Sequence, residues 1–157
     1  MGKPKIAIDA GSGFGYGTVF LHTVGIRAIG IDKVEHKITQ GSNLFKRIGL
    51  SIPTISKVDF SQTPAVFDSN FVSLPDDTPK VDLITMFYLS GEMLFNSAVI
   101  EKCRALLNKG GKLMMSTHVA TAEAREVFSK LAIAPASVAI NEIEDNFERT
   151  AIIIEFQ

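Results

Sequence analysis

The sequence predicts a three-layer α/β fold, in which helices cover both faces of a mostly parallel β-sheet. Short apolar runs alternate with helical patterns along most of the 157 residues, which is typical of repeated strand–helix units. The rhythm changes near the end, where two strand-like runs are separated by the five residues 144–148. Five residues are too few for the helical crossover that joins parallel strands. We therefore expect the sheet to end in an antiparallel hairpin.

Two strand–helix units come first along the chain. The predicted strands are apolar runs at residues 5–10 and 27–32, and the predicted helices cover 16–24 and 34–48. Four prolines then interrupt residues 50–80, so this segment predicts only two short extended pieces, at 52–60 and 65–71.

The second half of the chain continues the alternation before it ends in the hairpin. It predicts a strand at 81–88, a helix at 92–107, a strand at 112–117 and a helix at 121–131. The run Asn108-Lys109-Gly110-Gly111 is expected to end the second-half helix that precedes it. The two hairpin strands are predicted at 137–143 and 149–156.

Composition and length indicate a globular protein that folds as a single domain over residues 1–157. The net charge of −1 favours neither nucleic acid nor an anionic membrane as a partner. No apolar run approaches the roughly 20 residues that span a bilayer, and the first residues lack the apolar core of a signal peptide. One cysteine, Cys103, excludes an internal disulfide and is interpreted as a structural thiol. We expect a cytoplasmic protein without a metal site.

A glycine-rich loop follows the first predicted strand, with the sequence Asp9-Ala10-Gly11-Ser12-Gly13-Phe14-Gly15-Tyr16-Gly17-Thr18. Glycines 11 and 13 allow a tight turn and the close approach of a ligand to the backbone. The carboxylate of Asp9 can hold a cationic group, which a phosphate site would avoid. The alternative is a glycine-rich turn that binds nothing, although each glycine costs conformational entropy.

The glycine spacing argues against a dinucleotide. That fingerprint needs glycine at its first, third and sixth positions. Counting from Gly11, the sixth residue is Tyr16, and counting from Gly13 it is Thr18. The loop therefore predicts a ligand other than a nicotinamide dinucleotide.

The second predicted strand ends in an acid, Asp32, which lies 21 residues beyond Gly11. A carboxylate at this position hydrogen-bonds ribose hydroxyls in Rossmann-like sites, so it indicates a nucleoside. The alternative is a carboxylate that caps the helix starting at Val34, and the two roles are compatible.

Together, Asp9-Ala10-Gly11-Ser12-Gly13 and Gly30-Ile31-Asp32 resemble the first two cofactor motifs of class I, seven-strand methyltransferases that depend on S-adenosylmethionine. The resemblance implies a Rossmann-like three-layer sandwich with a seven-strand-type sheet, and S-adenosylmethionine as the cofactor. Three later segments extend it: Asp68-Ser69-Asn70-Phe71 resembles the adenine loop, Val81-Asp82-Leu83-Ile84-Thr85-Met86-Phe87-Tyr88 the fourth strand, and Leu107-Asn108-Lys109-Gly110-Gly111 the L-x-x-G-G turn.

A narrower resemblance is to small protein-lysine methyltransferases that lack a SET domain. Those enzymes carry Asn-Phe in the adenine loop, as in Asn70-Phe71 here. They also lack the N/D-P-P-Y signature of enzymes that methylate amines of nucleic acids, and here that stretch reads Phe87-Tyr88-Leu89-Ser90. The resemblance implies a protein lysine or another amine as the methyl acceptor.

Individual roles follow from the same resemblance. It implies that Gly11, Ser12 and Gly13 wrap the methionine part, that Asp9 orients its end, and that Asp32 binds ribose. Asn70 and Phe71 would contact adenine, and Phe87 would lie at the cofactor pocket. Tyr88 and Ser90 are the catalytic candidates on the acceptor side.

Other functions stay open as alternatives. One is a methyltransferase for RNA or a small molecule, and another is a nicotinamide or other nucleotide enzyme, which the glycine spacing and the terminal hairpin disfavour. A third is a non-catalytic, methyltransferase-like binding module that needs a partner subunit. The first strand begins within a few residues of Met1, without the helix that precedes it in the resembled family. We therefore expect either a more open cofactor pocket, or a partner subunit or an omitted N-terminal segment that completes it.

Overall fold

The computed structural model describes residues 4–50, 55–57, 80–87, 95–131, 137–143 and 149–156. The chain divides into two compact units, Met1–Val81 and Asp82–Gln157. The assignment of one domain to residues 1–157 stays a prediction.

The first unit contains a parallel sheet with two helices. Its strands are β1 (Ile6–Ala10), β2 (Arg27–Asp32) and β3 (Ile55–Lys57), and its helices are α1 (Tyr16–Thr23) and α2 (Glu35–Arg47). Strand β2 pairs in parallel with β1 on one side and with β3 on the other. The β1 residues 7–10 are all buried, as expected for a parallel strand covered on both faces.

The second unit contains the remaining described elements. They are β4 (Val81–Phe87), α3 (Ser97–Leu106), β5 (Leu107–Thr117), α4 (Thr121–Lys130), β6 (Ser137–Ile143) and β7 (Arg149–Glu155). Within this unit the strand order is β4-β5-β7-β6. Strand β7 runs antiparallel to both of its neighbours, so the predicted terminal hairpin is confirmed.

The core of the second unit is built from apolar side chains on its strands. Met115 lies opposite Ile152, and Leu113 lies opposite Ile154, in the pairing of β5 with β7. All four side chains are almost completely buried. Burying one such side chain stabilises the folded state by about 1.5–3 kcal/mol, so this strand pair is a main source of the unit's stability.

Two predicted boundaries in the second unit are wrong. The helix expected from residue 92 begins at Ser97, because the Asn96 side chain caps it by accepting a hydrogen bond from the Ala98 N–H at 2.9 Å. The strand expected from residue 112 begins at Leu107. Gly110 donates its N–H to the Phe156 carbonyl, and the Phe156 N–H donates to the Gly111 carbonyl. The two glycines therefore pair with the end of β7 instead of forming a separate turn.

The irregular segment contributes strand β3 to the described structure. This strand lies inside the extended piece predicted at 52–60, whereas the piece predicted at 65–71 lies outside the described residues. Among the described helices, none is long and apolar enough to cross a membrane.

Candidate functional site

The glycine-rich loop folds over the end of β2. The N–H groups of Gly11 and Ser12 both donate to the Ile31 carbonyl, at 2.8 and 3.0 Å. Gly11 and Gly13 adopt φ values of 72° and 56°, a backbone conformation that glycine reaches without steric cost. The glycines therefore allow the tight turn by which the loop leaves β1 and hydrogen-bonds to the carboxyl end of the neighbouring strand β2.

The carboxylate of Asp32 fixes the loop to the start of α2. Its Oδ2 accepts a hydrogen bond from the Gly13 N–H at 2.8 Å, and its Oδ1 accepts one from the Val34 N–H at 2.7 Å. Asp32 is only 8% exposed. The helix-capping role considered from the sequence is not found in that form: Val34 is the N-cap residue of α2 and makes no side-chain capping bond, whereas Asp32 bonds the Val34 N–H in the turn before the helix. A carboxylate can accept about four hydrogen bonds, so these two bonds leave capacity for the hydroxyls of a ligand.

Asp9 lies at the end of β1 and is bonded to α1. Its Oδ2 accepts a hydrogen bond of 2.7 Å from the Thr18 hydroxyl, and the two residues are 3% and 0% exposed. A buried carboxylate is expensive unless it is hydrogen-bonded, and this bond contributes to meeting that need. The structure therefore places Asp9 beneath the first turn of α1.

Bare glycine positions make this packing feasible. A methyl group added at Gly17 would lie 2.8 Å from Oδ2 of Asp9, and one added at Gly30 would lie 2.6 Å from Oγ1 of Thr18. Any side chain at either position would displace a polar group of the site. From the sequence, Gly17 is expected to allow close packing of the helix after the loop, and the structure shows which group it packs against. The contacts of Thr18 and Gly30 are formed only in the folded chain and could not be predicted.

One hydroxyl of the loop has no partner. Among the described residues, Ser12 Oγ is the one buried side-chain oxygen or nitrogen without a hydrogen bond. A methyl group added at the next residue, Gly13, would meet no atom within 4 Å, so the loop has open space there. A buried polar group without a partner is costly. The loop therefore fits a polar ligand that would hydrogen-bond Ser12.

The next acidic residue along the chain after Asp32 takes part in a separate ion pair. Glu35, in the first turn of α2, forms an exposed ion pair of 2.7 Å with Lys57 of β3. The hydrogen bond and the charge of Lys57 lower the pKa of Glu35. Since both side chains are exposed, the pair contributes little to stability, and it connects α2 with β3.

The cysteine does not provide a nucleophile. Cys103 is buried in the second unit, with Sγ 3.9 Å from Sδ of Met86, and burial raises the pKa of its thiol to about 12. The thiol therefore stays protonated near neutral pH, in agreement with the structural interpretation. Among the described residues, no three histidine, cysteine or acidic side chains are grouped as metal ligands would be.

The remaining site predictions concern later parts of the chain. Phe87 is the last residue of β4 and is half-buried in the second unit. The adenine-loop candidates Asn70 and Phe71, and the acceptor-side candidates Tyr88 and Ser90, lie outside the described residues. Their roles stay predictions.

No protein-family model matches the sequence, and a comparison with curated proteins gives no match. Solved structures do match. An rRNA methylase from Streptococcus thermophilus is similar with a TM-score of 0.66 and 17% identity, over 98% of this chain and 87% of its own. A ribosomal-protein methylase from Lactobacillus delbrueckii subsp. bulgaricus is similar with a TM-score of 0.68 and 18% identity, over 100% of this chain and 72% of its own.

A third similar structure is a magnesium protoporphyrin IX methyltransferase from Synechocystis PCC 6803 with bound S-adenosylmethionine. Its TM-score is 0.62 at 16% identity, over 96% of this chain and 69% of its own. These similarities confirm the predicted fold class. The chain has the Rossmann-like α/β fold of methyltransferases, with mostly parallel strands and a terminal antiparallel hairpin.

Proposed function

We propose that this chain is a methyltransferase that uses S-adenosylmethionine. The observation that carries the proposal lies at the carboxyl ends of β1 and β2, which we call the junction of these strands. There the Asp32 carboxylate accepts a hydrogen bond from the Gly13 N–H of the glycine-rich loop. The partnerless hydroxyl of Ser12 lies in the same loop. In Rossmann-like folds, ligands bind at the carboxyl ends of the strands, and this junction is such a position.

Each part of the cofactor has a proposed partner in the first unit. Gly11 and Gly13 give a ligand access to the loop backbone, and Ser12 provides a hydroxyl for the methionine part. Asp32 retains acceptor capacity for ribose hydroxyls. Asp9 provides negative charge for the cationic end, directly or through water.

When bound, the cofactor supplies a methyl group activated on a sulfonium. The protein's part is to align the acceptor with that methyl group and to exclude water from both. This chemistry needs no fixed set of catalytic side chains.

We further propose a protein lysine or another amine as the acceptor. Support comes from the sequence, in Asn70-Phe71 and in the absence of an N/D-P-P-Y signature at residues 87–90. Tyr88 and Ser90 are the proposed acceptor-side residues, and Tyr88 would hydrogen-bond the incoming amine. The similar structures described above include proteins named for RNA, a ribosomal protein and a porphyrin, so the choice of acceptor depends on the sequence resemblance.

Titration calorimetry with S-adenosylmethionine, S-adenosylhomocysteine and NAD tests the cofactor. We expect both sulfur nucleosides to bind and NAD not to bind. At a concentration 100 times its dissociation constant, a ligand of the native state should stabilise the protein by about 2.7 kcal/mol, which the melting temperature would show. Binding of NAD alone would overturn the proposal.

Incubation with methyl-labelled cofactor and a cell lysate tests the acceptor. We expect label in protein, with methyl-lysine in its hydrolysate. Label in RNA or in small molecules would overturn the amine proposal while keeping the cofactor proposal. Tight cofactor binding without transfer to any fraction would favour the non-catalytic binding module.

A further inference from the structure

We propose that Thr18 is a positioning residue that orients the Asp9 carboxylate toward the cationic methionine end of the cofactor. This inference rests on the proposed function. Thr18 lies in the first turn of α1, nine residues beyond Asp9, and no cofactor motif named above includes it. Being 0% exposed, its side chain would influence a ligand only through the groups that it contacts.

The hydroxyl of Thr18 is bonded to the carboxylate of Asp9. It donates to Oδ2 at 2.7 Å, the usual length of a bond from a hydroxyl to an oxygen, and hydrogen bonds of this type are stronger when the carboxylate is ionised. Both residues are buried, so water competes little for either group. The bond links the helix to the end of β1, next to the glycine-rich loop.

The surroundings of the pair limit how it can move. On the helix side, a methyl group at Gly17 would lie 2.8 Å from Oδ2 and 3.1 Å from Oδ1 of Asp9. On the strand side, a methyl group at Gly30 would lie 2.6 Å from the Thr18 oxygen. Because Gly17 and Gly30 have no side chains, the Thr18 hydroxyl and the Asp9 carboxylate can lie in hydrogen-bond contact between them. A larger residue at either position would collide with this pair.

Loss of the hydroxyl would redirect the carboxylate. Without the Thr18 donor, Oδ2 of Asp9 loses a charge-assisted bond in a buried place, where an unsatisfied group is costly. The carboxylate would turn to recover a donor. Attraction between charges falls with distance and is strong where water is excluded, so such a turn weakens the hold on a cation. Adenine and ribose carry no such positive charge and would be unaffected.

Two ligands separate this positioning role from a general effect on folding. S-adenosylhomocysteine contains the amino-acid part, with its ammonium, whereas methylthioadenosine lacks it. Thr18→Val keeps the shape and removes the hydroxyl, and Thr18→Ser keeps the hydroxyl. We expect Thr18→Val to weaken S-adenosylhomocysteine about tenfold, the scale of a lost charge-assisted bond, with methylthioadenosine unchanged. Thr18→Ser should restore most of the affinity.

Two controls make the result specific. Thr23→Val removes another hydroxyl of α1, one that donates to the Phe20 carbonyl of the same helix, and should change neither affinity. In an Asp9→Asn background, Thr18→Val should have little further effect on S-adenosylhomocysteine, because the two residues act as one unit. If Thr18→Val does not unfold cooperatively, Thr18→Cys, a weaker donor of similar size, replaces it with the same expected order.

The outcomes are distinct. Equal weakening of both ligands by Thr18→Val would overturn the positioning role, as would a failure of Thr18→Ser to restore affinity. Additive effects of Thr18→Val and Asp9→Asn would overturn it too. If the unaltered protein binds neither S-adenosylmethionine nor S-adenosylhomocysteine, the proposed function itself is wrong, and the inference is wrong with it.

Discussion

Asp32 serves two structural purposes with one side chain. It accepts a hydrogen bond from the Val34 N–H in the turn before α2, and it holds the glycine-rich loop through the Gly13 N–H. Without the Asp32 carboxylate, the N–H groups of Gly13 and Val34 would each lose their hydrogen-bond acceptor. We therefore expect a substitution of Asp32 to disturb the loop as well as any direct contact with ribose.

The substitution Asp32→Asn separates the effect on the loop from the effect on ribose binding. The variant keeps one oxygen but turns an amide NH₂ toward the N–H of Gly13 or Val34, so one backbone bond is lost. We expect S-adenosylhomocysteine to bind at least about tenfold more weakly, as for loss of a bond to a charged group. For analogues lacking the ribose hydroxyls, the effect of the substitution should be smaller but present. Calorimetric titration of each ligand measures both.

A matched control for Asp32→Asn is Glu126→Gln, which removes the carboxylate of an exposed ion pair with Lys130. It should leave every affinity unchanged. If Asp32→Asn weakens the deoxy analogues as much as the parent compound, Asp32 makes no ribose contact.

The position of Asp32 at the end of β2 could be predicted from the sequence, because an acid that ends a strand after a glycine-rich loop has a fixed place in a parallel sheet. Its hydrogen bond to the Gly13 N–H could not, and its contact with ribose stays a prediction. The roles of Thr18 and Gly30 could not be predicted in this way. Their contacts depend on how close α1 lies to β1 and β2, and periodicity gives no such distance.

At the scale of elements, α2 shows how a local preference is overridden. Gly41 lies inside this helix, and the sequence pattern treats it as a weakness, since glycine costs about 1 kcal/mol relative to alanine there. In the structure Gly41 is buried, and a methyl group added to it would overlap the Phe14 carbonyl of the glycine-rich loop. The bare position lets the loop backbone pack directly on the helix.

Gly41→Ala should therefore destabilise the protein although it raises helix propensity. Overpacking typically costs about 1–3 kcal/mol. Because the obstacle here is backbone, which cannot turn aside as a side chain can, we expect a cost near the upper end of that range, above the gain of about 1 kcal/mol in propensity. Thermal unfolding should show a lower melting temperature. Asn43→Ala, at an exposed position of the same helix, should raise it slightly. A more stable Gly41→Ala protein would contradict the close packing of loop and helix.

The boundaries of elements were harder to predict than their existence. The hairpin could be predicted because five residues cannot span a crossover. The start of β5 could not, because a glycine pair after a helix normally ends that helix. Here the pairing of Gly110 and Gly111 with Phe156 overrides this preference, and that pairing joins residues far apart in the chain.

For the whole molecule, the sequence specifies the fold class well, but it specifies the methyl acceptor poorly. The alternation of strands and helices fixes the fold class, which structures of low sequence identity share. Methyl transfer requires alignment and exclusion of water, and no fixed residue pattern encodes these. The chemistry of methyl transfer therefore does not specify the acceptor, and the proposal of an amine depends on the narrower sequence resemblance at Asn70-Phe71 and residues 87–90.

Cofactor binding at the glycine-rich loop is tested most directly by backbone amide shifts, measured by NMR across the whole chain as S-adenosylhomocysteine is added. We expect saturable shifts at Gly11, Ser12 and Gly13, with a matching response at Val34, whose N–H shares the Asp32 carboxylate with that of Gly13. The amide of Lys130, an exposed residue at the end of α4, serves as the reference. No saturable shift in residues 11–13, or shifts confined to other parts of the chain, would contradict binding at this loop.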